Sequence, residues 1–456
     1  MAYNRPMAAN PTLPVRRREI FGWAMFDFAN SSYTTLIITV AFGVYFTKIV
    51  AAGDNADWLW GLGIAITNLI VMVTSPLAGA IADDAGRKKL FLFVTYSTCV
   101  VGTAGLFFAV PGQIVLALGL LVLSNVAFSF GENFAGAFLP EISTPANIGR
   151  ISALGWGVGY FGGLACLILV RPLLQGLDWE PARLLAPENA QVFLELRLAW
   201  VVTAGFFLLA GIPTFLFLRE RAPRGPKRSI GEYARIGFRR LGETTSSIRH
   251  FTELRWFLGT FFLFQAGLTA VVAFAGIFAE STLGFTANEL ILLFILLQFS
   301  AAGGALAFGW IQDRLGGRAA IQITLVLWTA VCIGTYLCHS KSLFWGIAIF
   351  SGLAIGSLQA ASRALVGLFS PPAKSGEFFG FWGLAGKGAY LVGPLAFGAI
   401  SSITGSQRTA ILAVGLFFIL GMVGMHFVDE GEGRRQAESW NTTETGDPVD
   451  AGAEPT

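Results

Sequence analysis

Hydrophobic residues along this chain form long runs that are separated by short polar breaks. A helix needs about 20 mostly apolar residues to cross a bilayer, and twelve runs reach that length. They are residues 20–50, 58–82, 90–110, 114–138, 151–174 and 198–218, and then 256–282, 287–312, 319–338, 342–367, 378–402 and 408–428. The pattern predicts an all-α integral membrane protein with twelve transmembrane helices.

A polar stretch at residues 219–255 divides the runs into two sets of six. It begins with Pro223, Gly225 and Pro226 and then has the pattern of a basic amphipathic helix from Ile230 to Leu241. The predicted parts are a cytoplasmic N-terminal segment, two six-helix bundles, a basic cytoplasmic linker between them, and an acidic tail whose composition predicts disorder. The N-terminal segment comprises residues 1–19 and the two bundles comprise residues 20–218 and 256–428. The linker comprises residues 219–255 and the tail residues 429–456.

Two short patterns occur once in each half of the chain. The first reads Gly-x-x-x-Asp-x-x-Gly with an arginine close behind, in a polar break between two apolar runs. It comprises Gly79, Asp83, Gly86 and Arg87, and then, at an offset of 230, Gly309, Asp313, Gly316 and Arg318. The second is Pro145 with Trp156, which recurs at an offset of 226 as Pro371 with Trp382. Two repeats in the same order indicate a duplicated protein with two pseudo-symmetric bundles, which is typical of transporters.

Composition also favours a membrane protein. Of the 456 residues, 54% are hydrophobic and 13% are charged, whereas an average soluble domain has about 25% charged residues. The four cysteines fall inside apolar runs without a CxxC pair, so we expect them to be buried thiols. The chain has no Walker loop, HExxH or GxSxG motif. We therefore predict no enzyme, no cofactor and no metal site, and transport that is passive or driven by an ion gradient.

Lysine and arginine are unevenly distributed between the two sides that the twelve runs define. With both termini on one side, 23 of the 31 Lys and Arg residues lie on that side and six lie on the other. The positive-inside rule therefore predicts cytoplasmic termini, and we expect a bacterial inner (plasma) membrane protein. Because the basic linker lies between spans, we expect it to contact lipid headgroups and not nucleic acid.

The whole arrangement resembles the major facilitator superfamily. The six-plus-six division, the basic central loop and the Gly-x-x-x-Asp-x-x-Gly-Arg loops after spans two and eight are typical of that superfamily, and the likeness covers about residues 20–428. The resemblance implies alternating access, in which two bundles rock about a central site. It also implies that spans one and four line the central cavity.

A narrower resemblance lies between Trp23 and Tyr33. The segment Trp-Ala-Met-Phe-Asp-Phe-Ala-Asn-Ser-Ser-Tyr is similar to a signature of the branch that contains the autophagy-related vacuolar amino-acid effluxers and their bacterial relatives. Residues 138–141 (Phe-Leu-Pro-Glu), 155–160 (Gly-Trp-Gly-Val-Gly-Tyr) and 377–380 (Glu-Phe-Phe-Gly) also resemble that branch. The resemblance implies that the substrate is an amino acid or a similar small zwitterion.

Charged groups inside a span are costly and mark binding sites or ion pathways. Asp27 in span one is a candidate for substrate binding or proton coupling. Asn30 and Tyr33 follow it by three and six positions, and we expect all three side chains to share one helix face. The alternative is that this face packs against another span and that hydrogen bonds satisfy Asp27.

Span four carries a second coupling candidate, Glu132. Asn133 is its neighbour, and Asn125 lies about two turns away on the face of Glu132. The alternative is that Glu132 forms a structural ion pair near the cytoplasmic end, with Arg150 or Arg87.

Two cations fall inside spans of the second half. Lys387 is near the middle of span eleven, so it needs a carboxylate partner or a position in a cavity; it could hold a substrate carboxylate, with Tyr390 one turn further. Arg363 lies near the cytoplasmic end of span ten, with Gln359 one turn deeper. Arg363 either reaches the surface or binds an anion. The other candidates for the substrate site are Trp156, Tyr160 and Gln265, of which Gln265 is alternatively a hydrogen-bonding contact between helices.

The two repeated loops are predicted to form a gate. By the resemblance, Asp83 should face the start of span eleven near Glu377–Gly380, and Asp313 should face the start of span five near Arg150–Ala153. Carboxylates are favoured at helix N-termini. With the four motif glycines, Arg87 and Arg318, these contacts would hold the inner gate shut while the cavity opens outward. The alternative is simple stabilisation of the loops.

The predicted function is a secondary active transporter or facilitator for a small polar solute, with an amino acid as the first choice. Proton coupling is a hypothesis that rests on Asp27 and Glu132. A facilitator for sugars, peptides or drugs is the first alternative. The second is a non-transporting receptor or scaffold, whose cavity would be filled by bulky apolar side chains. We expect the protein to be a monomer.

Overall fold

The computed structural model describes residues 14–53, 55–174, 181–223 and 251–445, with isolated positions between 225 and 239. Within these residues the chain forms helices and no strand. The first thirteen residues, most of the basic linker with its predicted amphipathic helix, and the tail after residue 445 lie outside the described residues.

Twelve long helices correspond to the twelve apolar runs, and we number them as spans. Spans one to six are Arg17–Val50, Ala56–Ala85, Lys88–Gly105, Ile114–Gly136, Ile148–Val170 and Ala190–Phe217. Spans seven to twelve are Thr252–Leu283, Ala287–Leu315, Gly317–Leu337, Lys341–Leu368, Ser375–Thr404 and Gln407–His426. The all-α, twelve-helix prediction is confirmed.

Span eleven differs from the other spans in composition. Eleven of the described helices are long and apolar enough to cross a membrane on these criteria alone, and span eleven is not among them. It is 30 residues long, but it is rich in glycine and carries Glu377 and Lys387. Because it packs against spans two and seven, part of its surface faces protein and not lipid.

Span one changes its helix type along its length. The α-helix Arg17–Tyr33 continues as a π-helix over Thr34–Val40, and the short α-helix Phe42–Tyr45 leads into a second π-helix at Phe46–Val50. π-Helical turns often occur near functional sites. Asp27 lies in the regular α-helical part, before the first of these changes.

Each half of the chain has its own apolar core. One cluster of buried residues comes almost entirely from spans one to six and the other almost entirely from spans seven to twelve. Ala364 of span ten packs in the first cluster, and Ala137, next to the end of span four, packs in the second. Span two packs against span eleven, and span five packs against spans eight and ten. The four cysteines are buried as free thiols, as predicted.

The two repeated loops lie at the same end of the helix bundle, which we call the motif end. Odd-numbered spans begin there and even-numbered spans end there. The opposite end is called the far end.

The tail contains a helix that the sequence did not predict. Residues Glu430–Thr445 form a 16-residue helix, so the prediction of disorder from residue 429 is wrong for this segment. Its charged residues pair along the helix, as Arg435 does with Glu432 at 2.8 Å. Trp440 packs against Phe251 at the start of span seven, with ring centroids 5.4 Å apart. The disorder prediction rested on composition, in which the packing of one aromatic side chain such as Trp440 is not visible.

Candidate functional site

Arg363 of span ten is held by the opposite half of the protein. Its Nη1 lies 2.7 Å from Oδ2 of Asp27 in span one. Its Nη2 donates to the carbonyl oxygen of Ser152 in span five at 2.7 Å, and its Nε donates to the Ser152 hydroxyl at 3.2 Å. Arg363 is 5% exposed, so the alternative that it reaches the surface is wrong. The ion pair joins the two halves.

Aromatic and small residues surround this ion pair. The Arg363 guanidinium carbon lies 4.7 Å from the ring centroid of Trp23 and 5.3 Å from that of Trp156. The Trp23 indole is fixed in place because its Nε1 donates to the Ala135 carbonyl at 2.7 Å. A Cβ at Gly155 would overlap the Asp27 carboxylate and lie 2.6 Å from Arg363 Nη2. Glycine at this position therefore gives the ion pair its space.

Glu132 and Lys387 form the second set of charges in the interior. Glu132 of span four interacts electrostatically with Lys387, Asp27 and Arg363, and it is the charge that acts on Lys387. Among the described residues no ion pair within 4.0 Å involves either side chain. The alternative that Glu132 pairs with Arg150 is wrong, because Arg150 pairs with Asp313. Opposite charges from the two halves therefore face one another without direct contact.

Three aromatic polar side chains belong to the same region. Tyr390 is one turn from Lys387, whose Nζ lies 5.3 Å from the Tyr390 ring centroid. Tyr160 lies one turn from Trp156, with ring centroids 6.0 Å apart. The Tyr160 hydroxyl and the Trp156 Nε1 are buried without a hydrogen-bond partner in the described structure. The hydrogen-bonding capacity of these two groups is therefore not used by the described residues.

Two side chains of this region are partly exposed. Tyr390 is 46% exposed, and the Asp27 side chain retains 14% of its exposure despite its ion pair. Tyr390 lies one turn closer to the far end than Lys387 because span eleven begins at the motif end. Two polar side chains of the charged region therefore keep exposed surface.

Several predicted site residues lie elsewhere. Tyr33 is fully buried, shares a 2.8 Å hydrogen bond with Ser124 and stacks on Phe128. The prediction that it shares a face with Asp27 is wrong, because six residues are about 1.7 turns of an α-helix. Asn133 donates to the Ser75 hydroxyl at 2.5 Å, beside span eleven at Gly383.

The remaining polar candidates do not contact the charged groups. Asn30, Asn125 and Gln265 are buried, and Gln359 is half-buried. Oδ1 of Asn30 and Oε1 of Gln265 have no hydrogen-bond partner in the described part of the chain. They stay candidates for polar contacts with a substrate or water.

The Asp83 loop (residues 79–89) contacts the start of span eleven. Asp83 accepts hydrogen bonds from the backbone N–H groups of Gly376 at 3.1 Å and Glu377 at 2.8 Å. The contact expected from the resemblance is thus present. A Cβ at Gly79 would overlap the carbonyl of Gly376, so glycine permits this approach. Gly86 ends span two with a φ of 57°, a conformation that favours glycine.

Lys88, and not the predicted Arg87, supplies the positive charge at this contact. Lys88 Nζ forms an ion pair with Glu141 and lies 3.9 Å from Asp83 Oδ1. It also donates to the Ser375 hydroxyl at 2.8 Å, in the opposite half. The side chains of Lys88, Asp83 and Glu141 are 1%, 1% and 5% exposed. The prediction chose the motif arginine, although two lysines follow it directly and span three begins at Lys88.

The Asp313 loop (residues 309–318) makes the matching contact with span five. Asp313 accepts from the N–H groups of Gly149 at 2.9 Å and Arg150 at 3.3 Å, and the Arg150 side chain pairs with it at 2.5 Å. A Cβ at Gly309 would overlap Ala153. Gly316 has a φ of 89°.

Arg318 of this loop does not contact the first half in the described structure. Its backbone N–H donates to Glu430 at 3.0 Å, and its Nη2 lies 3.3 Å from His426 Nδ1. The side-chain cation that pairs with Asp313 is Arg150, on the opposite side of the contact.

Comparison with known proteins places this geometry in a family. Residues 61–438 match the family model described as "Vacuole effluxer Atg22 like". The chain belongs to this Atg22-like family. An MFS-type transporter of Bacillus subtilis, YxiO, is 28% identical over 415 residues, which cover 90% of this chain and 94% of that protein. Autophagy-related protein 22 of Kluyveromyces lactis is 24% identical over 425 residues, covering 85% and 82%.

Solved structures agree with the fold of the Atg22-like chain. The human organic anion transporter MFSD10 superposes with a TM-score of 0.70 at 15% identity and covers 91% of this chain and 100% of its own. The transporter FucP in its outward conformation gives 0.68 at 14% identity, covering 90% and 98%. The protein is therefore a multi-pass membrane transporter with the major facilitator fold.

Proposed function

We propose that this protein moves an amino acid or a similar small zwitterion across a bacterial inner membrane by alternating access. The observation that carries the proposal is the pair Glu132 and Lys387, which present opposite charges from opposite halves without direct contact. Asp27 and Arg363 already neutralise each other. A zwitterion between Glu132 and Lys387 would give each unpaired charge a partner, and its carboxylate could also accept from the Tyr160 hydroxyl.

The conformation supports the same proposal. Both motif loops contact the opposite half at the motif end, while Tyr390 is exposed on the side of the far end. With cytoplasmic termini, as the distribution of Lys and Arg favours, the described state faces outward. Opening of the motif end would require Asp83 and Asp313 to release the starts of spans eleven and five.

Proton coupling is the second part of the proposal. Protonation of Asp27 would remove its ion pair with Arg363, which is one of the contacts that join the two halves. The two hydrogen bonds from Arg363 to Ser152, which also join the halves, would persist. Glu132 is the other carboxylate in the site. If Asp27→Asn and Glu132→Gln both retain concentrative uptake or efflux in vesicles, proton coupling through these residues is excluded.

The substrate is tested by ligand-induced thermal stabilisation of the purified protein, because a ligand that binds only the folded state raises its unfolding temperature. We expect amino acids to raise it and Lys387→Ala to abolish the effect. Lys341→Ala is the matched control, since Lys341 pairs with Glu289 at 2.7 Å near the far end. Stabilisation by sugars, peptides or organic anions but not by amino acids would reject the zwitterion. No stabilisation and no transport would favour a receptor or scaffold.

A further inference from the structure

The C-terminal helix Glu430–Thr445 is attached to the motif end by a set of specific contacts. Asp429 begins the helix by accepting from the N–H of Glu432 at 2.9 Å. The Asp429 N–H donates to Glu253 in the first turn of span seven at 2.6 Å. Glu430 accepts from the N–H of Arg318 at the start of span nine. The helix is therefore fixed at its beginning to two spans of the second half.

The middle of this helix packs against span ten. A Cβ at Gly433 would overlap the ring of Phe369, which follows the end of span ten. Ala437, one turn further, is 6% exposed. Arg434 and Glu438 pair with each other at 2.8 Å on the exposed face. One face is thus buried against the bundle and the other is in solvent.

Trp440 brings the helix to the turn that precedes span eleven. The Lys374 ammonium lies 4.2 Å from the Trp440 ring centroid, a distance at which a cation is attracted to the face of an indole. Lys374 is the residue directly before span eleven and ends the turn Pro372–Lys374. Trp440 also contacts Phe251, with ring centroids 5.4 Å apart.

The same turn is contacted from the first half. Lys88 Nζ donates to the Pro372 carbonyl at 3.4 Å, and Asp83 accepts from the N–H groups of Gly376 and Glu377 just beyond it. Trp440 and the Asp83 loop therefore contact one short segment, residues 372–377, from the second half and from the first half. A segment that is held in its bound geometry in advance loses less conformational entropy when its partner binds.

We propose that the C-terminal helix is a brace for the gate: it fixes residues 372–377 in the geometry that Asp83 and Lys88 bind, and so favours closure of the motif end. The contacts of the brace described above are all with the second half, and the brace acts through this segment. Its loss should shift the equilibrium toward a conformation that is open at the motif end, because a population shift needs only a differential effect on the two states. The inference rests on the proposed alternating access.

Thiol labelling of the full-length protein in membranes tests the brace. In a background with the four native cysteines replaced by alanine, Ala137→Cys reports on the motif end, because Ala137 is fully buried in the core of the opposite half. Tyr390→Cys reports on the accessible side of the cavity. We expect Trp440→Ala to raise the labelling rate of the first reporter about tenfold and to lower that of the second. Glu438→Ala, on the exposed face of the same helix, should change neither.

Two comparisons separate the possible outcomes. If Trp440→Ala raises labelling at both reporters, the helix only stabilises the fold and the proposal is wrong. Asp83→Asn should raise labelling at Ala137→Cys whether or not the brace exists. If Asp83→Asn does so and Trp440→Ala does not, the brace fails and the gate stands. If neither variant changes the labelling, the proposed alternating gate fails as well.

Discussion

The Asp83 loop and the Asp313 loop perform the same contact with different sources of positive charge. Each aspartate accepts two backbone N–H bonds from the start of a glycine-rich span in the opposite half. At the Asp83 loop the cation is Lys88, from the same loop and 1% exposed. At the Asp313 loop the cation is Arg150, from the opposite half and 43% exposed.

The difference shows how duplication and divergence are combined here. The aspartate and the two glycines are required by backbone geometry, which both halves share. The cation is required only to neutralise the carboxylate, and any position that reaches it will serve. Lys88 is enclosed with two carboxylates, whereas Arg150 lies at the surface, on Trp310 at 5.1 Å. We therefore expect substitutions at the first loop to have larger effects than those at the second.

The largest effect is expected from Lys88→Met. Removal of the Lys88 charge takes one buried partner from Glu141 and Asp83, and breaking a buried ion pair costs about 3–5 kcal/mol in comparable cases. The thermal unfolding temperature of the detergent-solubilised protein should fall strongly, and Glu141→Gln in the same chain should restore part of it. Arg87→Met is the neighbouring control. If the Lys88→Met protein is as stable as wild type, the buried charges of the Asp83 loop do not make it more important for stability than the Asp313 loop.

The next effect is expected from the motif glycines. A Cβ at Gly79 would lie 2.0 Å from the carbonyl oxygen of Gly376, and one at Gly309 would lie 2.4 Å from the Cβ of Ala153; neither neighbour can rotate away. Overpacking of this kind costs about 1–3 kcal/mol, and Gly79→Ala should be the more destabilising in the same thermal assay. Gly119→Ala, where a Cβ meets nothing within 4 Å, should not destabilise. Equal losses of stability at both motif positions would show that the two loops tolerate an added methyl group equally.

A pH dependence is expected at the first loop. Burial raises the pKa of Glu220 to about 7, and the nearby Glu141 charge raises this pKa further. The Lys89 N–H, which donates to Glu220 at 2.7 Å, lowers the pKa but does not offset the burial. A raised carboxyl pKa contributes stability that is full below about pH 4.5 and is lost as the pH rises through about 7. The free energy of unfolding should therefore be larger at pH 6 than at pH 8 by about 1 kcal/mol. The unfolding temperature should be higher at pH 6 for the same reason. Glu220→Gln should flatten that slope and stabilise the protein at pH 8; an unchanged slope would assign it to another group.

The smallest effect is expected from Arg150→Ala. A half-exposed ion pair contributes about 0.2–1 kcal/mol, and Asp313 keeps its two backbone N–H bonds without the arginine side chain. The unfolding temperature should change far less than in Lys88→Met, measured side by side in one detergent. A loss as large as that of Lys88→Met would remove the distinction between the two loops.

The helices were predictable because their signal is local. Long apolar runs gave twelve spans, and the largest change at a helix start is in span six, which begins at Ala190 and not near residue 198. The motif aspartates were predictable because the repeat is visible in the sequence and the resemblance supplied the partner helices. Neither inference required knowledge of side-chain positions.

The charged site was only partly predictable. Asp27, Glu132, Arg363 and Lys387 were identified because charges inside apolar runs are rare. Their pairing was not: the sequence left Arg363 between the surface and an anion site, and it left the carboxylate partner of Lys387 unnamed. Arg363 and Asp27 are 336 positions apart, and only the packing of span ten against span five brings them together.

The sequence alone determined that this protein has twelve spans in two related halves, because the need to bury apolar length in lipid acts on each segment separately. Tertiary structure decided which charges are neutralised and which stay free. It paired Arg363 with Asp27, gave Lys88 and not Arg87 to Asp83, and set Trp440 against Lys374. These choices depend on helix rotation and on distances of a few ångströms between segments remote in sequence, to which hydrophobic patterning is insensitive.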